Sequence, residues 1–356
     1  MSRKPLSQQQ VEALHDGLVI PAQPLALTEE RKLDVRRQRA LTRYYIAAGA
    51  GGVAVGVHST QFEIREPQHN LYEPVLRLAA EEVDRAGLAR PFLKIAGICG
   101  PTAQALNEAD IAVKLGYDAG LVSMGGLKDW SEEQHLERIR AVAEKIPVVG
   151  FYLQPSVGGR IFSYDFWLQL AEIEGVVAIK IAPFNRYQTI DVVRAVVNSS
   201  RRDEIALYTG NDDNIVNDLL TTYRFQVNGQ TVEKKIVGGL LGHWCVWTKK
   251  AVELLEEVKQ VRNDASLSAD WFTRNIEVTD TNAAFFDPAH QFAGCIPGIH
   301  EVLRRQGLML GTWCLNPHEV LSPGQAEEID RMYSDYPHLN DDAFVREHLE
   351  EWLADA

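Results

Sequence analysis

The chain has 356 residues, of which 46% are hydrophobic and 24% charged, and its formal net charge at pH 7 is −13. This length is enough for a large buried core, either as one large α/β domain or as two smaller domains. The 36 basic residues are outnumbered by 49 acidic ones, which argues against nucleic-acid binding, because that requires a basic surface. No run of about 18 apolar residues occurs, so no membrane-spanning helix is predicted.

The composition also bears on compartment and metal binding. Residues 1–10 are polar and lack the apolar core of a secretory signal, so no export is predicted. So few cysteines in a long chain, without paired metal-ligand spacing, suit a reducing compartment; they are Cys99, Cys245, Cys295 and Cys314. We expect a cytoplasmic protein with no metal site.

From about residue 18 to residue 262, apolar strand-like runs alternate with amphipathic helical patterns. The eight predicted strands are Leu18–Pro21, Gly52–Gly56, Phe92–Ala96, Ala119–Val122, Pro147–Tyr152, Gly175–Ala182, Ile205–Tyr208 and Lys235–Gly239. The eight predicted helices are Glu30–Ala48, Glu73–Ala86, Thr102–Leu115, Ser131–Lys145, Tyr164–Ile173, Tyr187–Val197, Ile215–Thr222 and Val246–Val261.

Alternation of this spacing predicts parallel strands joined by right-handed crossovers. Eight such units in about 245 residues fit a closed barrel, whereas an open doubly wound sheet usually stops near six strands. We therefore predict an α/β fold in which residues 1–262 form a catalytic (β/α)₈ TIM barrel. In such a barrel the chemistry lies at the C-terminal ends of the strands.

Two segments fall outside the repeat. Residues 223–233 contain Asn228-Gly229 between alternating residues, which predicts a β-hairpin at the N-terminal face of the barrel, with a role in packing or assembly. After about Asn263 the strand pattern stops, and helical stretches predict a C-terminal helical appendage, residues 263–356, packed on the barrel. These stretches are Ala283–Phe286, Pro297–Arg305, Gly324–Tyr333 and Asp341–Leu353.

The sixth predicted strand carries the main chemical signal. Its β-branched run, which includes Val176, Val177 and Ile179, indicates a strand buried on both faces, and Lys180 lies near its C-terminal end. Burial disfavours the ammonium form, and a neutral amine attacks carbonyl carbons, as a Schiff-base enzyme requires. The alternative is a lysine whose stem packs while its amine reaches water.

Five short motifs, in order and at matching strand positions, resemble the dihydrodipicolinate synthase and N-acetylneuraminate lyase superfamily of pyruvate-handling class I aldolases. Members typically show Thr-Thr-Gly-Glu after strand two, Tyr-Asn-x-Pro after strand five, Gly-Ile-Lys at strand six, Ser-Gly-Asp-Asp after strand seven and Gly-x-Ile-Ser at strand eight. The corresponding stretches here are His58-Ser59-Thr60-Gln61, Tyr152-Leu153-Gln154-Pro155, Ala178-Ile179-Lys180, Thr209-Gly210-Asn211-Asp212 and Gly239-Leu240-Leu241-Gly242.

The resemblance implies a role for each matching position. Lys180 would form an imine with a 2-keto acid and Tyr152 would shuttle protons, although Tyr152 also fits a strand-end aromatic that caps the core. The turn after strand two would bind the keto-acid carboxylate through backbone N–H groups and a hydroxyl. Substrate-binding positions would be Ser59 and Thr60, together with Asn211, Gly239 and Leu241.

The turn after strand two can be aligned with the superfamily motif in two ways that differ by one residue. Without a gap, His58 and Ser59 occupy the two threonine positions, and His58 would replace a relay hydroxyl with an imidazole able to carry protons near pH 7. With a shift of one residue, Ser59 and Thr60 occupy them. The alternative for His58 is a surface loop residue.

Departures from the superfamily pattern argue against the lysine-biosynthetic reaction itself. The dihydrodipicolinate synthases have Thr-Pro-Tyr-Tyr after strand four, where this chain has Ser123-Met124-Gly125-Gly126. Their arginine two residues after the strand-five proline corresponds to Val157, and Arg160 follows three residues later. Bulky aromatic residues follow strands four and eight, and they predict either a pocket for a bulky acceptor or helix packing; they are Trp130, His243, Trp244 and Trp247.

The expected function is that of a Schiff-base lyase that cleaves or forms a C–C bond in a reaction of pyruvate or another 2-keto acid. No cofactor beyond the covalent imine on Lys180 is expected. The expected partners are the 2-keto acid, an aldehyde and further copies of the chain in a dimer or tetramer. Two alternatives are a keto-deoxy sugar acid dehydratase on the same scaffold and a non-catalytic sensor of small acids.

Overall fold

The structure, a computed structural model, describes residues 3–354. The strands are β1 Val19–Pro21, β2 Gly52–Val55, β3 Leu93–Ile98, β4 Ala119–Val122, β5 Val148–Leu153, β6 Val176–Ala182, β7 Ala206–Thr209, β8 Thr222–Val227 and β9 Gln230–Leu241. The helices are α1 Gln8–Asp16, α2 Val35–Ala48, α3 Tyr72–Ala86, α4 Thr102–Lys114, α5 Glu132–Ala143, α6 Tyr164–Glu172, α7 Arg186–Asn198, α8 Ile215–Leu220, α9 Thr248–Val261, α10 Asp270–Phe286, α11 Cys295–Arg305, α12 Gln325–Asp335 and α13 Asp342–Leu353.

The strand order confirms the predicted fold class. Strands β3 to β7 pair in sequence as parallel neighbours, and β7 pairs with β9. The complete order is β1-β9-β7-β6-β5-β4-β3-β2, with β8 paired to β9. Strand β1 in turn bonds to β2, since the Gly51 amide donates to the Val19 carbonyl and the Gln23 amide to the Ala54 carbonyl. Eight parallel strands in this cyclic order, with helices between them, are the topology of a (β/α)₈ barrel.

The predicted hairpin is also confirmed. Strands β8 and β9 pair antiparallel from Thr222–Lys235 to Val227–Gln230. Asn228 and Gly229 form the turn, both with positive φ, which is the geometry that a two-residue hairpin requires. The extra strand lies before the eighth barrel strand in the chain, as the Asn-Gly signal indicated.

By internal packing the chain divides into two compact units, Met1–Leu18 with Leu93–Leu240 and Val19–Phe92 with Leu241–Ala356. The boundary predicted between residues 262 and 263 lies inside the second of these, between α9 and α10, so the domain division drawn from the sequence stays a prediction.

The first unit contains β3 to β8 and most of β9. Helix α1, which was not predicted from the sequence, is joined to the sheet by hydrogen bonds to Tyr208 of β7. The Tyr208 hydroxyl donates to the Leu14 carbonyl over 2.8 Å and accepts from the Leu18 amide over 3.2 Å. Helix α1 begins with a capping box of Ser7 and Gln10. The buried Tyr208 hydroxyl is thus hydrogen-bonded to the segment that precedes β1.

In the second unit, Asp341 links the C-terminal helices to α2 and α9. Its carboxylate accepts hydrogen bonds from the Tyr44 hydroxyl at 2.7 Å, the Lys249 amide at 3.1 Å and the Gln306 amide group at 2.8 Å. The Tyr44 hydroxyl in turn accepts from the Thr248 amide at 2.7 Å. Within this unit α13 packs on α2, and α10 packs on α11 and α12.

Candidate active site

Lys180 lies near the C-terminal end of β6 and is only 8% exposed. Its amine is 4.4 Å from the centroid of the Phe151 ring, and it makes no ion pair or hydrogen bond within residues 3–354. Burial lowers the pKa of this amine to about 8, while the negative charge of Asp212 opposes part of the decrease. A substantial neutral fraction is therefore present near physiological pH, which favours nucleophilic attack on a carbonyl.

The register between β5 and β6 determines which aromatic side chain faces the amine. Phe151 pairs with Lys180, and Tyr152 pairs with Ile181. Because paired residues of parallel strands share a face and successive residues alternate, Phe151 lies beside Lys180 and Tyr152 lies on the opposite face. The Tyr152 ring accordingly packs 4.7 Å from the Trp167 ring of α6.

The Tyr152 ring is therefore directed towards α6, and the proton-shuttle role predicted for it stays a prediction. Tyr152 is 1% exposed, and burial raises its pKa to about 12, which disfavours proton release near neutral pH. Tyr152 thus has the position of the core-capping aromatic that the sequence analysis kept as its alternative. Phe151, which faces the amine in its place, carries no titratable group.

The segment after β7 is shaped around the Lys180 side chain. A Cβ atom on Gly210 would lie 2.6 Å from Cε of Lys180 and 2.7 Å from Cβ of Ala182, closer than any normal contact. Only glycine therefore leaves room at this position for the lysine stem. Asp212, two residues later, is buried at 5% exposure.

A hydrogen-bond network holds this segment from its other side. The Asn211 side chain donates to Asp218 at 2.9 Å and to the Thr189 hydroxyl at 3.1 Å, and it accepts from the Phe184 amide at 3.0 Å. Asp218 also accepts from the Thr209 hydroxyl at 2.6 Å. Asn211, predicted to contact substrate, thus uses its amide group inside the protein.

The turn after β2 belongs to the second unit and contains His58, Ser59 and Thr60. The Ser59 hydroxyl donates to the Ala22 carbonyl at 2.6 Å, and the Thr60 hydroxyl donates to the Gln23 carbonyl at 2.7 Å. The Thr60 oxygen also accepts from the amides that begin the turn. His58 is half-buried, with its ring 5.8 Å from that of Phe62. Both hydroxyl protons are used within the unit, and the roles predicted for these three residues stay predictions.

Of the two predicted residues of β9, Gly239 lies in the first unit and Leu241 in the second. The Gly239 amide donates to the Leu18 carbonyl at 3.1 Å, and the Leu241 carbonyl accepts from the Ala22 amide at 3.2 Å. These backbone groups belong to the sheet ladder, and a substrate role for either residue stays a prediction.

The aromatic residues after β9 lie against outer helices. His243, Trp244 and Trp247 line a cavity of about 210 Å³ together with residues of α9 and α10, such as Leu254 and Val278. His243 is buried 3.2 Å from the Asn282 amide nitrogen, and burial lowers its pKa to about 3. These contacts favour the helix-packing alternative for this group.

Trp130, after β4, likewise packs against neighbouring side chains. Its carbonyl accepts from Arg160 at 2.6 Å, and its ring is 5.7 Å from that of His135. The Arg160 guanidinium lies 4.9 Å from the centre of the Phe162 ring.

Two absences hold for the part of the chain that the structure describes. Between residues 3 and 354 no three or more His, Cys, Asp or Glu side chains come together as a possible metal site. Nor does any helix in that range combine the length and the apolar character needed to cross a bilayer.

Comparison with known proteins finds relatives of two kinds at low sequence identity. No family model matches the chain. It is 27% identical over 205 residues to an N-acetylneuraminate lyase of Citrobacter koseri, which covers 57% of this chain and 65% of the relative. It is 26% identical over 189 residues to a 4-hydroxy-tetrahydrodipicolinate synthase of Thiobacillus denitrificans, over 52% of this chain and 60% of the relative. The chain thus spans less than two thirds of the curated relatives that it matches.

Solved structures of the same two kinds share the fold over nearly the whole chain. A dihydrodipicolinate synthase of Acinetobacter baumannii, crystallised with pyruvate, has a TM-score of 0.71 at 18% identity, covering 90% of this chain and 99% of that one. An N-acetylneuraminate lyase of Fusobacterium nucleatum has a TM-score of 0.69 at 15% identity, covering 91% and 99%. The chain is thus similar in sequence to N-acetylneuraminate lyases and 4-hydroxy-tetrahydrodipicolinate synthases, and it shares the fold of the solved structures.

Sequence reasoning missed two residues that affect the Lys180 amine, Phe151 by contact and Asp212 by its charge. Phe151 was hidden because an alignment of motifs carries no information on strand register. Asp212 lies inside the matched motif after strand seven, directly after Asn211, the residue of that motif predicted to bind substrate. The charge of Asp212 was the available signal, because a carboxylate close to a buried amine raises the pKa of that amine.

Proposed function

We propose that this chain is a Schiff-base lyase that forms or cleaves a C–C bond in a reaction of pyruvate or another 2-keto acid. The observation that carries the proposal is the buried Lys180 amine near the C-terminal end of β6, with its pKa lowered to about 8. Within residues 3–354 this amine forms no hydrogen bond or ion pair that would explain its burial as a structural one.

The chemistry follows from the neutral amine. Its lone pair attacks the C2 carbonyl of the keto acid, the carbonyl oxygen leaves as water, and a protonated imine forms on Nζ. The positive nitrogen then withdraws electrons from C2. A bond at C3 can break because its electron pair moves towards C2 and the C=N pair moves onto nitrogen.

The names of the relatives support this substrate class. One matched enzyme is an N-acetylneuraminate lyase, and one structural neighbour is a dihydrodipicolinate synthase in complex with pyruvate. We propose an aldehyde as the second reactant, with its identity left to product analysis. Val157 stands where the synthases carry an arginine, so we do not propose the lysine-biosynthetic reaction.

Imine trapping tests the proposal directly. The protein is incubated with pyruvate and borohydride, and the expected product gains the mass of pyruvic acid less one oxygen atom, mapped to the peptide that contains Lys180. Lys180→Ala should gain no mass. Lys94→Ala is the matched control, because Lys94 is also a strand lysine with 8% exposure, and it should gain mass like the wild type.

The outcome also separates the alternatives. No mass gain with any of a panel of 2-keto acids would contradict the lyase proposal and favour a small-acid sensor. If trapping succeeds, product analysis distinguishes the remaining two, since an aldolase releases an aldehyde together with pyruvate and a keto-deoxy sugar acid dehydratase does not.

We further propose that the enzyme acts in the cytoplasm as a homo-oligomer. All four cysteines are free thiols, which supports a reducing compartment. Sedimentation velocity of the purified chain tests the oligomeric state, and a monomer over the working concentration range would contradict it.

A further inference from the structure

The Lys180 nitrogen carries a positive charge in two forms of the proposed enzyme. One is the ammonium group of the free protein, and the other is the protonated imine that follows reaction with a keto acid. The side chain is buried, so water contributes little to the stability of either cation. A group of the protein must therefore favour positive charge at this nitrogen.

The Phe151 ring is in direct contact with the nitrogen. Its centroid lies 4.4 Å from Nζ, well inside the distance of about 6 Å at which a ring face attracts a cation. Phe151 is itself buried, and the residues on either side of it in β5 also pair with β6. The ring is thus held by the sheet and is preorganised beside the reacting atom.

Burial distinguishes this contact from the other cation–ring contacts of the molecule. Within residues 3–354 the other cations that lie over rings are arginines, each half-buried or exposed. A cation gains more from a ring where water is excluded. The contact between Lys180 and Phe151 is therefore the strongest candidate for a functional one.

Two other groups belong to the surroundings of the amine. Tyr208 of β7 pairs with Lys180, and its hydroxyl is bonded to the Leu14 carbonyl and the Leu18 amide. The charge of Asp212 favours the protonated amine. A change confined to the ring of Phe151 alters neither group, so the effect of the ring can be measured by itself.

We propose that the Phe151 ring is a catalytic group that stabilises the positive charge of the imine on Lys180. The inference rests on the proposed function. When the neutral amine adds to C2, the carbonyl oxygen takes one proton from the amine and one from solvent and leaves as water, and the nitrogen becomes positive beside the ring. The charge is lost again when the enamine forms. The ring therefore favours imine formation and not the later cleavage of the bond at C3.

Fluorination of the ring separates this role from simple packing, because fluorine withdraws electrons from the ring face and changes the size of the ring little. Phe151 is replaced by phenylalanines with one, two or three ring fluorines, and the initial rate of imine trapping by cyanoborohydride is measured at low pyruvate concentration. At about pH 9.5, above the amine pKa of about 8, the nitrogen is charged only after reaction. The trapping rate should then fall with each fluorine, by about 3- to 30-fold in total.

At about pH 6.5 the effect should disappear, because the amine is then charged before the reaction as well as after it. A weaker ring destabilises both forms equally, and rates within about twofold of the wild type are expected. The matched control is the same set of fluorinated residues at Phe166, a buried ring stacked 4.2 Å from Phe162. Fluorination there should leave the trapping rate unchanged at both pH values.

The two proposals fail in different ways. A wild type that gives no trapped product contradicts the lyase proposal. With trapping intact, an unchanged rate at the higher pH overturns the role of Phe151, and so does an equal fall at both pH values, which would indicate altered packing. If the fluorinated proteins do not fold, Phe151→Leu gives the same comparison between the two pH values, since leucine keeps an apolar contact but has no ring face.

Discussion

Phe151 lies beside Lys180, paired with it across β5 and β6 and with its ring centroid 4.4 Å from the amine nitrogen. The negative face of an aromatic ring attracts a cation, so Phe151 partly compensates the ammonium form that burial disfavours. It also covers the amine with an apolar surface that accepts no proton. The amine thus has an apolar neighbour on one side and the charge of Asp212 acting on it.

This relationship gives the first prediction. Tyr152→Phe should keep imine formation and turnover within about threefold of wild type, because the phenol that it removes faces Trp167 and not Lys180. The measurement is steady-state turnover beside borohydride trapping. A loss of about 10² or more in kcat, the size expected for removal of a general acid or base, would show that the register-based assignment is wrong.

The contrast between Phe151 and Tyr152 marks what the sequence can predict here. The alternation of strands and helices gave the barrel, the Asn228-Gly229 hairpin and the position of Lys180 near a strand end. The facing aromatic depends on a register between two strands, and a slip of one residue exchanges the two faces. Motif matching compares residue types along the chain and contains no information on the register between strands.

Two other features were beyond reach for a related reason. Helix α1 has no strong apolar face, and its place depends on hydrogen bonds to Tyr208, about 190 residues later in the chain. The motif predicts that Asn211 binds substrate, whereas its hydrogen-bond partners Thr189 and Asp218 can be identified only from the structure. Some polar residues of a catalytic motif bind substrate and others bind the surrounding protein, and only the structure distinguishes the two groups.

Gly210→Ala tests the fit of the lysine stem. The new Cβ would meet Cε of Lys180 at 2.6 Å and Cβ of Ala182 at 2.7 Å, so the amine must move. We expect trapping to slow by about tenfold or more, since small displacements of a reacting group are costly, and stability to fall by about 1–3 kcal/mol from overpacking.

A second substitution separates those two effects. Ala182→Gly added to Gly210→Ala removes one of the clashes but not the one with Lys180. Trapping should stay slow in the double variant while part of the stability returns. Recovery of trapping to the wild-type rate would mean that the lysine stem does not depend on Gly210.

Lys180→Met should abolish trapping but stabilise the fold at neutral pH. The ordinary pKa of 10.5 applies in the unfolded chain, and burial lowers it to about 8 in the folded one. Below pH 8 the Lys180 amine is charged in both the folded and the unfolded state, and its burial lowers the free energy of unfolding by the full amount, about 3 kcal/mol. Above pH 10.5 neither state is charged and the cost vanishes. The unfolded state binds more protons between these values, so wild-type stability rises with pH across that window.

Urea unfolding of the wild type and Lys180→Met at several pH values checks this. The variant's gain should be full at pH 7 and shrink steadily between pH 8 and pH 10.5. An equal gain at every pH would indicate better packing by methionine in place of relief from a buried charge.

Asp341→Ala should destabilise the second unit strongly, although Asp341 lies far along the chain from the candidate site. The substitution leaves the Tyr44 hydroxyl, the Lys249 amide and the Gln306 side chain without their shared acceptor. Unpaired buried donors cost about 1–3 kcal/mol each and are not additive, so we expect a loss of about 3 kcal/mol in the free energy of unfolding.

Asp335→Ala is the control, because it removes only an exposed partner of Arg331 and should lower the free energy of unfolding by less than about 1 kcal/mol. Equal losses of unfolding free energy in the two variants would mean that the buried carboxylate does not stabilise the packing of α13 with α2 and α9. A larger loss for Asp341→Ala would instead support a C-terminal helical segment that depends on α2 and α9 for its stability.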